Sequence, residues 1–376
     1  MKQKILIISF SNLRSDPRVR RQINFLKTRY NIVAAGYNNP EIENIEFIDV
    51  HIKKNRFWIL LNLPFLLLGF NKLYYWNQLF IKKGYRKLKD ISADLIIAND
   101  IEALPLALKI KKINTKIIFD AHEYSPLEHD DSIIWRILFK KYNSYIIEKY
   151  AHKSDLMFTV CFGIAEKYKD VYNLSPLVVT NASEYYEIKE NDFPNEKIKL
   201  IHHGMAHPSR KIENMIKIMD YVDHRFELDL MLVFTNKRYK EKIENMVKAR
   251  NNINLIKPVS VEQIIPFTNK YDVGIYLLEP TNFNNGHALP NKFFEFVQAR
   301  LCIAMGPSPE VGNLIKKHNL GIVSKDFTPQ SLASSLNSLN KEKIMEFKKN
   351  ANVAAKILNS DYNLNIIGEE VNKLLN

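Results

Sequence analysis

The segment DLIIANDIEALPLALKIKKINTKIIFDAHEYSP (residues 94–126) decides the fold class of this sequence. Two short apolar runs, Leu95–Ala98 and Lys116–Asp120, flank the helical pattern Leu104–Lys111. Short, continuously apolar runs are typical of strands buried on both faces of a parallel sheet. Parallel neighbours need a crossover connection, which a helix supplies. The segment therefore predicts a βαβ unit.

The same alternation continues in both directions along the chain, which predicts an α/β protein with two Rossmann-like, doubly wound domains around a cleft. The first domain is expected at residues 1–188, with further strands at Ile5–Ser9, Asn31–Ala35, Leu156–Val160 and Leu177–Thr180. The polar segment Glu187–Lys197, which contains Pro194, is the linker candidate. The second domain is expected at residues 189–358, with strands at Ile198–His202, Leu228–Phe234, Ile253–Ile256, Val273–Leu277, Cys302–Met305 and Gly321–Val323. Residues 359–376 are expected to form a helix that packs back on the first domain.

The composition favours anionic partners. The chain has 376 residues, of which 46% are hydrophobic and 25% charged, with a formal net charge of +13. Such a balance suits nucleic acid, acidic lipid surfaces or phosphorylated small molecules. The sequence lacks the signature of a nucleic-acid-binding module, so a nucleic-acid partner is not expected. Phosphates and membrane surfaces are the partner classes that the charge indicates.

The cysteine content and the first residues indicate the compartment. The two cysteines, Cys161 and Cys302, cannot form a disulfide framework and are expected to be buried thiols in a reducing environment. The opening MKQKILIISF has too short an apolar run for a signal peptide and fits a first buried strand. We expect a cytoplasmic protein.

The segment Arg56–Lys89 has two interpretations that the sequence leaves open. Its apolar stretch, Phe57–Phe70, is interrupted by Asn62 and Pro64 and is too short to span a bilayer, which takes about 20 residues. Aromatic residues and a basic cluster follow it, as at the headgroup level of an anionic membrane. The segment fits either such a peripheral contact, at the inner face of the cell membrane, or an ordinary pair of domain helices with a basic outer face.

Polar residues follow two predicted strands of the first half, where open α/β sheets bind ligands. Asp120, His122 and Glu123 come at the end of the strand Lys116–Asp120, and a histidine there can donate to a sugar hydroxyl. Asp16 and Pro17 are typical of the start of a helix, and Arg18 in its first turn is a candidate phosphate contact. No GxGxxG follows the first strand, which argues against a nicotinamide or flavin enzyme.

The stretch IHHGMAHPSRKIENMI (residues 201–216) favours a phosphate over a metal. Its three histidines, His202, His203 and His207, lack an HExxH spacing, and neighbouring strand residues point to opposite faces. A glycine turn after a strand, followed by the basic pair Arg210 and Lys211, suits an anion.

The stretch HALPNKFFEFVQARL (residues 287–301) carries the main candidate site. Pro290 fits the first turn of a helix, on which Lys292 and Glu295 share one face. The helix N-terminus and Lys292 can meet a diphosphate while Glu295 accepts hydrogen bonds from ribose hydroxyls. The alternative is a surface Lys–Glu pair, and the spacing leaves both open. Phe293, Phe296 and Val297 are expected to pack on the sheet.

Together these motifs resemble the retaining glycosyltransferases of family 4, which have the GT-B fold, with two Rossmann-like domains facing a central cleft. The stretches SDPRVRRQINFL, ADLIIANDIEALPLA, FDAHEYSP, HHGMAHPSRKIENMI and ALPNKFFEFVQARLCIAMGPSPEVGNLI stand in the family's order along nearly the whole chain. The resemblance implies a hexosyltransferase that takes a sugar from a UDP- or GDP-sugar and needs neither cofactor nor metal. The acceptor would be a glycan or a lipid-linked glycan in bacterial surface polysaccharide synthesis.

The resemblance also implies roles for individual residues. Arg210, with its neighbour Lys211, matches the family's basic residue at the pyrophosphate, and Asn291 and Lys292 match a loop that touches it. Glu295 matches the carboxylate that binds the ribose. His122 matches the histidine that contacts the transferred sugar, and Asp16 and Arg18 lie in the loop expected to face donor phosphate or acceptor.

Two positions depart from the family pattern. His287 stands where the first glutamate of an E-x7-E pair is usual, and Arg300 stands where a glycine is common. Two other functions stay open. One is an NDP-sugar epimerase, which shares the fold and its cleft and would use Glu123 and Glu310 as its carboxylates. The other, suggested by His287, is a non-catalytic partner that binds glycan or membrane.

Overall fold

The computed structural model describes residues 2–53, 56–192 and 197–376, without the side chains of residues 56 and 59. The chain forms two compact units. The first comprises Met1–Thr180, Asn282–Asn284 and Asn363–Asn376, and the second comprises Asn181–Thr281 and Asn285–Tyr362. Part of the predicted linker, residues 193–196, lies outside the described residues.

A seven-stranded sheet forms the centre of the first unit, with strand order β3-β2-β1-β4-β5-β6-β7. Its strands, β1 to β7, are Lys4–Asn12, Asn31–Tyr37, Glu46–Asp49, Leu95–Asn99, Lys116–Ala121, Leu156–Thr159 and Leu177–Val178. All neighbours pair in parallel, and the predicted βαβ unit is present as β4, a helix at Asp100–Ile110 and β5. The sequence analysis missed β3, which is short and only partly buried at the sheet edge.

A six-stranded parallel sheet forms the centre of the second unit, with order β10-β9-β8-β11-β12-β13. These strands, β8 to β13, are Ile198–Ala206, Phe226–Phe234, Ile253–Ile256, Val273–Tyr276, Cys302–Met305 and Gly321–Val323. Two parallel α/β sheets of this order confirm the prediction of two Rossmann-like domains.

Helices connect the strands of both sheets. Among the described residues they are Pro17–Leu26, Arg56–Leu67, Asn71–Asn77, Leu79–Leu88, Asp100–Ile110, Ile133–Trp135, Lys141–Tyr150, Phe162–Tyr172, Ile212–Ile218, Lys237–Lys248, Ile264–Thr268, Phe283–Gly286, Asn291–Gln298, Pro309–His318, Pro329–Asn337, Lys341–Ala354 and Ser360–Leu375. A π-helical turn, Arg136–Lys140, joins Ile133–Trp135 to Lys141–Tyr150. Single 3-10 turns lie at Ser125–Leu127, Ala151–Lys153, Pro208–Arg210 and Val261–Gln263.

The C-terminal helix, Ser360–Leu375, contributes to the core of the first unit. Ile367 and Val371 are buried in one cluster with Ile5 and Ile23. The Asn363 Oδ1 accepts a hydrogen bond of 3.1 Å from the Thr180 amide. Apolar burial and a hydrogen bond from the Thr180 backbone to the Asn363 side chain thus attach this helix to the first unit.

The aromatic helix Asn291–Gln298 packs on the second sheet. Phe293, Phe296 and Val297 are buried in the core of that unit, which confirms the predicted packing face. The Phe296 ring lies against Gly274 of β11, where any side chain would overlap it. This contact fixes the orientation of the helix on the sheet, and with it the position of the face that carries Lys292 and Glu295.

Arg300, the second departure from the family pattern, is a buried structural residue. It has a φ of +59°, a left-handed conformation that glycine adopts at little cost, and it is fully buried. Its guanidinium donates to the Gln298 carbonyl at 2.6 Å, the Tyr186 carbonyl at 2.7 Å and Asn352 Oδ1 at 2.7 Å. These bonds compensate the buried charge and the unfavourable backbone conformation.

Candidate functional site

The strand order of the second unit indicates where a ligand would bind. The chain runs from β8 through β9 to β10 on one side and then crosses to β11 on the other side of β8. The carboxyl ends of β8 and β11 therefore form the topological switch point. Open α/β sheets bind ligands at this point. Gly204 lies near the end of β8, and Tyr276 is the last residue of β11.

Lys292 lies over both strand ends. Its Nζ is 4.6 Å from the centre of the Tyr276 ring. A Cβ on Gly204 would lie only 3.0 Å from the same Nζ. Gly204 also has a φ of +119°, which side chains rarely tolerate. The glycine thus lets the Lys292 ammonium cross the end of the strand.

Arg210 meets the other side of Tyr276. Its guanidinium donates a hydrogen bond of 3.1 Å to the Tyr276 hydroxyl. Burial and the nearby charge of Arg210 lower the pKa of Lys292 to about 8, with Glu295 opposing this shift. Because the Arg210 charge disfavours the charged form of Lys292, the electrostatic energy of this site falls when an anion enters.

Glu295 lies one turn beyond Lys292 and faces a neutral histidine. Its Oε2 is 3.5 Å from Nε2 of His203, on β8. Burial, reinforced by Lys292, lowers the pKa of His203 to about 3, so the ring is uncharged at neutral pH. The Glu295 carboxyl group therefore lies beside a neutral ring, with its side chain partly open to solvent.

The remaining histidines of the IHHGMAH stretch have structural contacts. His202 is buried, and its Nδ1 is 3.0 Å from the Ile275 carbonyl. Burial lowers the pKa of His202 well below its ordinary range. The His207 Nδ1 accepts from the Ser209 amide at 3.3 Å in the turn before Arg210. The described residues contain no cluster of metal-ligating side chains.

Lys211 and Asn291 do not share the contact with Tyr276 that Lys292 and Arg210 make. Lys211, in a left-handed conformation, forms an ion pair with Glu279, which also accepts a hydrogen bond of 2.8 Å from Asn214. Asn291 is the first residue of the helix Asn291–Gln298, and no described side chain caps that helix N-terminus. The assignments of Lys211 and Asn291 to a pyrophosphate remain predictions.

His287 pairs with a carboxylate from the next helix. Its Nδ1 lies 3.7 Å from Oε1 of Glu310, and the Glu310 side chain is largely buried. A pocket adjoins this pair at the ends of β11 and β12. It is lined by Tyr276, Leu278, Asn285, Ala288, Pro290, Met305, Gly306, Ser308, Val311 and Phe327. The lining is mostly apolar, and Pro290, one of its residues, directly precedes the helix that carries Lys292.

His122 belongs to the first unit, at the carboxyl ends of β4 and β5. Its Nε2 is 3.0 Å from Asn99 Oδ1, and its Nδ1 is 3.2 Å from Asp100 Oδ2. The His122 amide also donates to Asp100 Oδ1 at 3.0 Å. Asp100 has a φ of +62°, an uncommon conformation that is concentrated at functional sites. The ring orientation is therefore set by two neighbours at the strand ends.

Asp16 and Arg18 are engaged within the protein. Asp16 caps the helix Pro17–Leu26 by accepting from the Val19 amide at 3.1 Å, and it accepts from Ser11 at 2.6 Å. Arg18 is 6% exposed and binds both carboxylate oxygens of Asp120, at 2.6 and 2.9 Å. Their roles toward a donor or acceptor stay predictions, and the geometry shows a helix cap and a buried ion pair.

Three residues of these sites were not predicted from the sequence: Tyr276, Glu279 and Asp100. Tyr276 lies at the end of the predicted strand Val273–Leu277 and Glu279 two residues after it, positions that could have identified them. Asp100 gives no sequence signal for its left-handed backbone, which depends on the packing around it.

Comparisons with known proteins identify the fold. No protein-family model and no curated protein matches the sequence. The structure is similar to solved structures over nearly its whole length, although sequence identity is low. HepE of Anabaena, solved with UDP and glucose, has a TM-score of 0.72 at 12% identity and covers 99% of this chain and 100% of its own.

Two further structures give the same result. TarM of S. aureus, solved in a complex that includes UDP, has a TM-score of 0.71 at 11% identity, with full coverage of both chains (100% each). Sucrose-phosphate synthase of Thermosynechococcus elongatus has a TM-score of 0.73 at 14% identity and covers 99% of each chain. This chain therefore has the GT-B fold, as the resemblance in its motifs implied.

Proposed function

We propose that this protein is a glycosyltransferase that moves a hexose-type sugar from a nucleoside-diphosphate sugar to an acceptor hydroxyl. The observation that carries the proposal is the pair of cations, Lys292 and Arg210, that meet at Tyr276 at the switch point of the second sheet. A diphosphate is the anion that fits two adjacent cations. The proposal is supported by the fold shared with HepE and TarM, both solved with UDP.

The donor would lie along the carboxyl ends of β8, β11 and β12. Lys292 and Arg210 would hold the diphosphate, with Asn291 and Lys211 beside it. Glu295, one turn further along its helix, would accept hydrogen bonds from the ribose hydroxyls. The apolar pocket next to Pro290 would take the base, for which uracil is the first candidate because the similar structures were solved with UDP.

Transfer would follow the retaining course. The bond between the anomeric carbon and the diphosphate oxygen breaks, and the acceptor oxygen forms its new bond on the same face. The acceptor proton passes to the departing phosphate oxygen, so no separate protein base is required. Arg210 and Lys292 stabilise the charge that develops on the leaving diphosphate without a metal ion. His122 would orient the transferred sugar, and His287, held by Glu310, would contact it in place of the usual glutamate.

The acceptor class proposed is a glycan or a lipid-linked glycan, used in bacterial surface polysaccharide synthesis on the cytoplasmic side of the membrane. The basic composition, with a net charge of +13, supports an acceptor or a surface that is anionic. Loss of His122 is expected to reduce transfer more than it reduces UDP binding.

A thermal-shift screen with UDP, GDP, ADP and CMP tests donor binding first, because a ligand specific for the folded state raises its melting temperature. Incubation with labelled UDP-sugars then tests for donor hydrolysis and transfer, in the wild type and in Arg210→Ala. Unchanged hydrolysis and transfer in Arg210→Ala would contradict the proposal. An isomerised NDP-sugar without acceptor would indicate an epimerase, and no shift with any nucleotide would indicate a non-catalytic binding protein.

A further inference from the structure

The helix Arg56–Leu67 and the turn after it expose an apolar stripe. Phe57, Leu60, Leu61, Leu67, Leu68, Phe70 and Leu73 are each more than half exposed. Positions 57, 60, 61, 67 and 68 recur at helical spacing, so they share one side of the helix. Asn62 and Leu66, between them in sequence, are buried on the other side. The helix thus turns its apolar residues both inward and outward.

A second apolar group lies on a neighbouring helix. Ile133, Ile134 and Ile137 are 65%, 72% and 65% exposed. The helix Arg56–Leu67 packs against the π-helical turn that contains Ile137. The rings of Tyr74 and Tyr142, from the same two segments, pack edge to face with their centres 4.9 Å apart. The stripe and the three isoleucines, named here the apolar face, therefore belong to adjacent elements.

Exposed hydrophobic side chains are clustered on the apolar face and scattered elsewhere. Among the described residues, 22 large hydrophobic side chains are exposed, and ten of these form the apolar face. Single exposed apolar residues need no explanation, whereas a contiguous group marks an interaction site. The face thus indicates a partner with an apolar surface.

The two segments that carry the apolar face have charge of one sign, and the acidic residues Glu128, Asp130 and Asp131 precede the second of them. Residues 56–89 contain seven lysines and arginines, residues 132–147 contain three, and neither segment contains an aspartate or glutamate. Lys72, Arg86, Lys87 and Arg136 are exposed. The partner is therefore expected to be anionic as well as apolar, as is a bilayer that contains acidic lipid.

All three tryptophans of the chain belong to these two segments. Trp58, Trp76 and Trp135 are each partly exposed. The Trp58 indole donates to the Asn77 carbonyl at 2.9 Å, and the Lys82 ammonium lies 5.2 Å from its ring centre. Tryptophan prefers the level of lipid headgroups, where its ring is half apolar and half wet.

We infer that the apolar face docks the protein on an anionic membrane, with the stripe and Ile133, Ile134 and Ile137 inserted at the headgroup boundary. No helix in the part of the chain that the structure describes is long and apolar enough to cross a bilayer. A second copy of the chain is a poorer partner for this face, because the exposed basic residues beside it would meet the same residues of the other copy. The inference does not depend on the transfer chemistry.

Vesicle co-sedimentation tests the inference. Full-length wild type is expected to bind phosphatidylcholine vesicles that contain phosphatidylglycerol, and to bind them less at high salt, because salt screens the basic residues. Ile134→Asp with Ile137→Asp is expected to reduce the bound fraction about tenfold or more, since two inserted side chains become charged. Ile113→Asp is the matched control, because Ile113 is 98% exposed in the same unit but outside the apolar face.

Tryptophan fluorescence gives a second, independent readout. Because every tryptophan lies beside the apolar face, its emission should shift to the blue when the wild type binds anionic vesicles, and should not shift in the double variant. Arg86→Glu with Lys87→Glu should lose the preference for phosphatidylglycerol while the apolar residues remain. Circular dichroism verifies that each variant is folded.

Three results would overturn the inference. They are no binding of the wild type to anionic vesicles, equal binding of the wild type and the isoleucine double variant, and a wild-type dimer that the double variant dissociates without any vesicle binding. UDP thermal shifts measured on the same proteins keep the inference separate from the proposed function. A protein that binds UDP but no vesicle refutes only the membrane surface, and the reverse result refutes only the transferase.

Discussion

Replacing Lys292 by methionine should separate nucleotide binding from stability. The Lys292 Nζ lies 4.6 Å from the Tyr276 ring centre, and burial with Arg210 lowers its pKa to about 8. Its charged form is thus less favoured in the free protein than in water, and a bound diphosphate would stabilise it. Methionine has a similar length and carries no charge, so Lys292→Met should leave the free energy of unfolding unchanged or raise it.

The expected loss of UDP affinity follows from one charged contact. A hydrogen bond between charged groups contributes about 1.5–3 kcal/mol, which corresponds to an increase in Kd of about 10- to 150-fold. The wild-type affinity should also depend on pH. With a pKa of about 8, Lys292 is mostly protonated at pH 7 and mostly neutral at about pH 9, so the wild-type Kd should rise about tenfold over that interval.

Isothermal titration calorimetry with UDP between about pH 7 and 9 measures both effects, because the terminal phosphate has a pKa near 6 and keeps its charge there. The pH dependence should disappear in Lys292→Met, whose Kd is already high. Lys248→Met is the control, because Lys248 is an exposed lysine on another helix. If Lys292→Met binds UDP as tightly as the wild type, or with the same pH dependence, the assignment of Lys292 to the diphosphate is refuted.

Three further substitutions test the framework of the sites by urea unfolding. Gly204→Ala puts a Cβ 3.0 Å from Lys292 Nζ at a φ of +119°, so it should cost about 1–3 kcal/mol and weaken UDP binding. Arg300→Ala leaves three acceptors, of which the Gln298 carbonyl is buried, without their donor and should cost about 1–3 kcal/mol, whereas Arg300→Gly should cost less because its φ is +59°. Asp120→Asn leaves the Arg18 charge buried beside a neutral amide and should cost about 3–5 kcal/mol near pH 7. Burial opposes the shift, but Arg18 and His122 keep the pKa of Asp120 below its ordinary value, so this stabilisation should be present above about pH 4 and lost as the pH falls further. A variant at any of the three positions with wild-type unfolding would contradict the corresponding contact.

The apolar face shows that the tertiary structure decides which apolar residues are buried and which are exposed. The segment Arg56–Lys89 suggested a membrane contact by its composition, but the same composition suited ordinary domain helices. The helix that starts at Ile133 gave no reason to separate its isoleucines from the core. The folded chain buries Ile146 and Ile147 of the same helical region and exposes Ile133, Ile134 and Ile137 beside the stripe. Hydrophobicity alone does not tell which apolar residues will face inward.

The sequence by itself determined the alternation of strands and helices, and with it the two parallel sheets. The strand Leu95–Asn99 is buried along its whole length, and its first four residues are all apolar, a run that the sequence shows directly. The same holds for the aromatic face of the helix Asn291–Gln298. Local patterns are sufficient where burial is continuous.

Only the tertiary structure decided which polar residues meet. Arg18 and Asp120 are 102 positions apart and form a buried pair, although each was also a candidate ligand contact. Lys292 reaches Tyr276 and the bare backbone at Gly204 because β8 and β11 are neighbours in the sheet. Contacts between distant segments depend on strand order and on the positive φ of single residues, and neither is encoded in a local pattern.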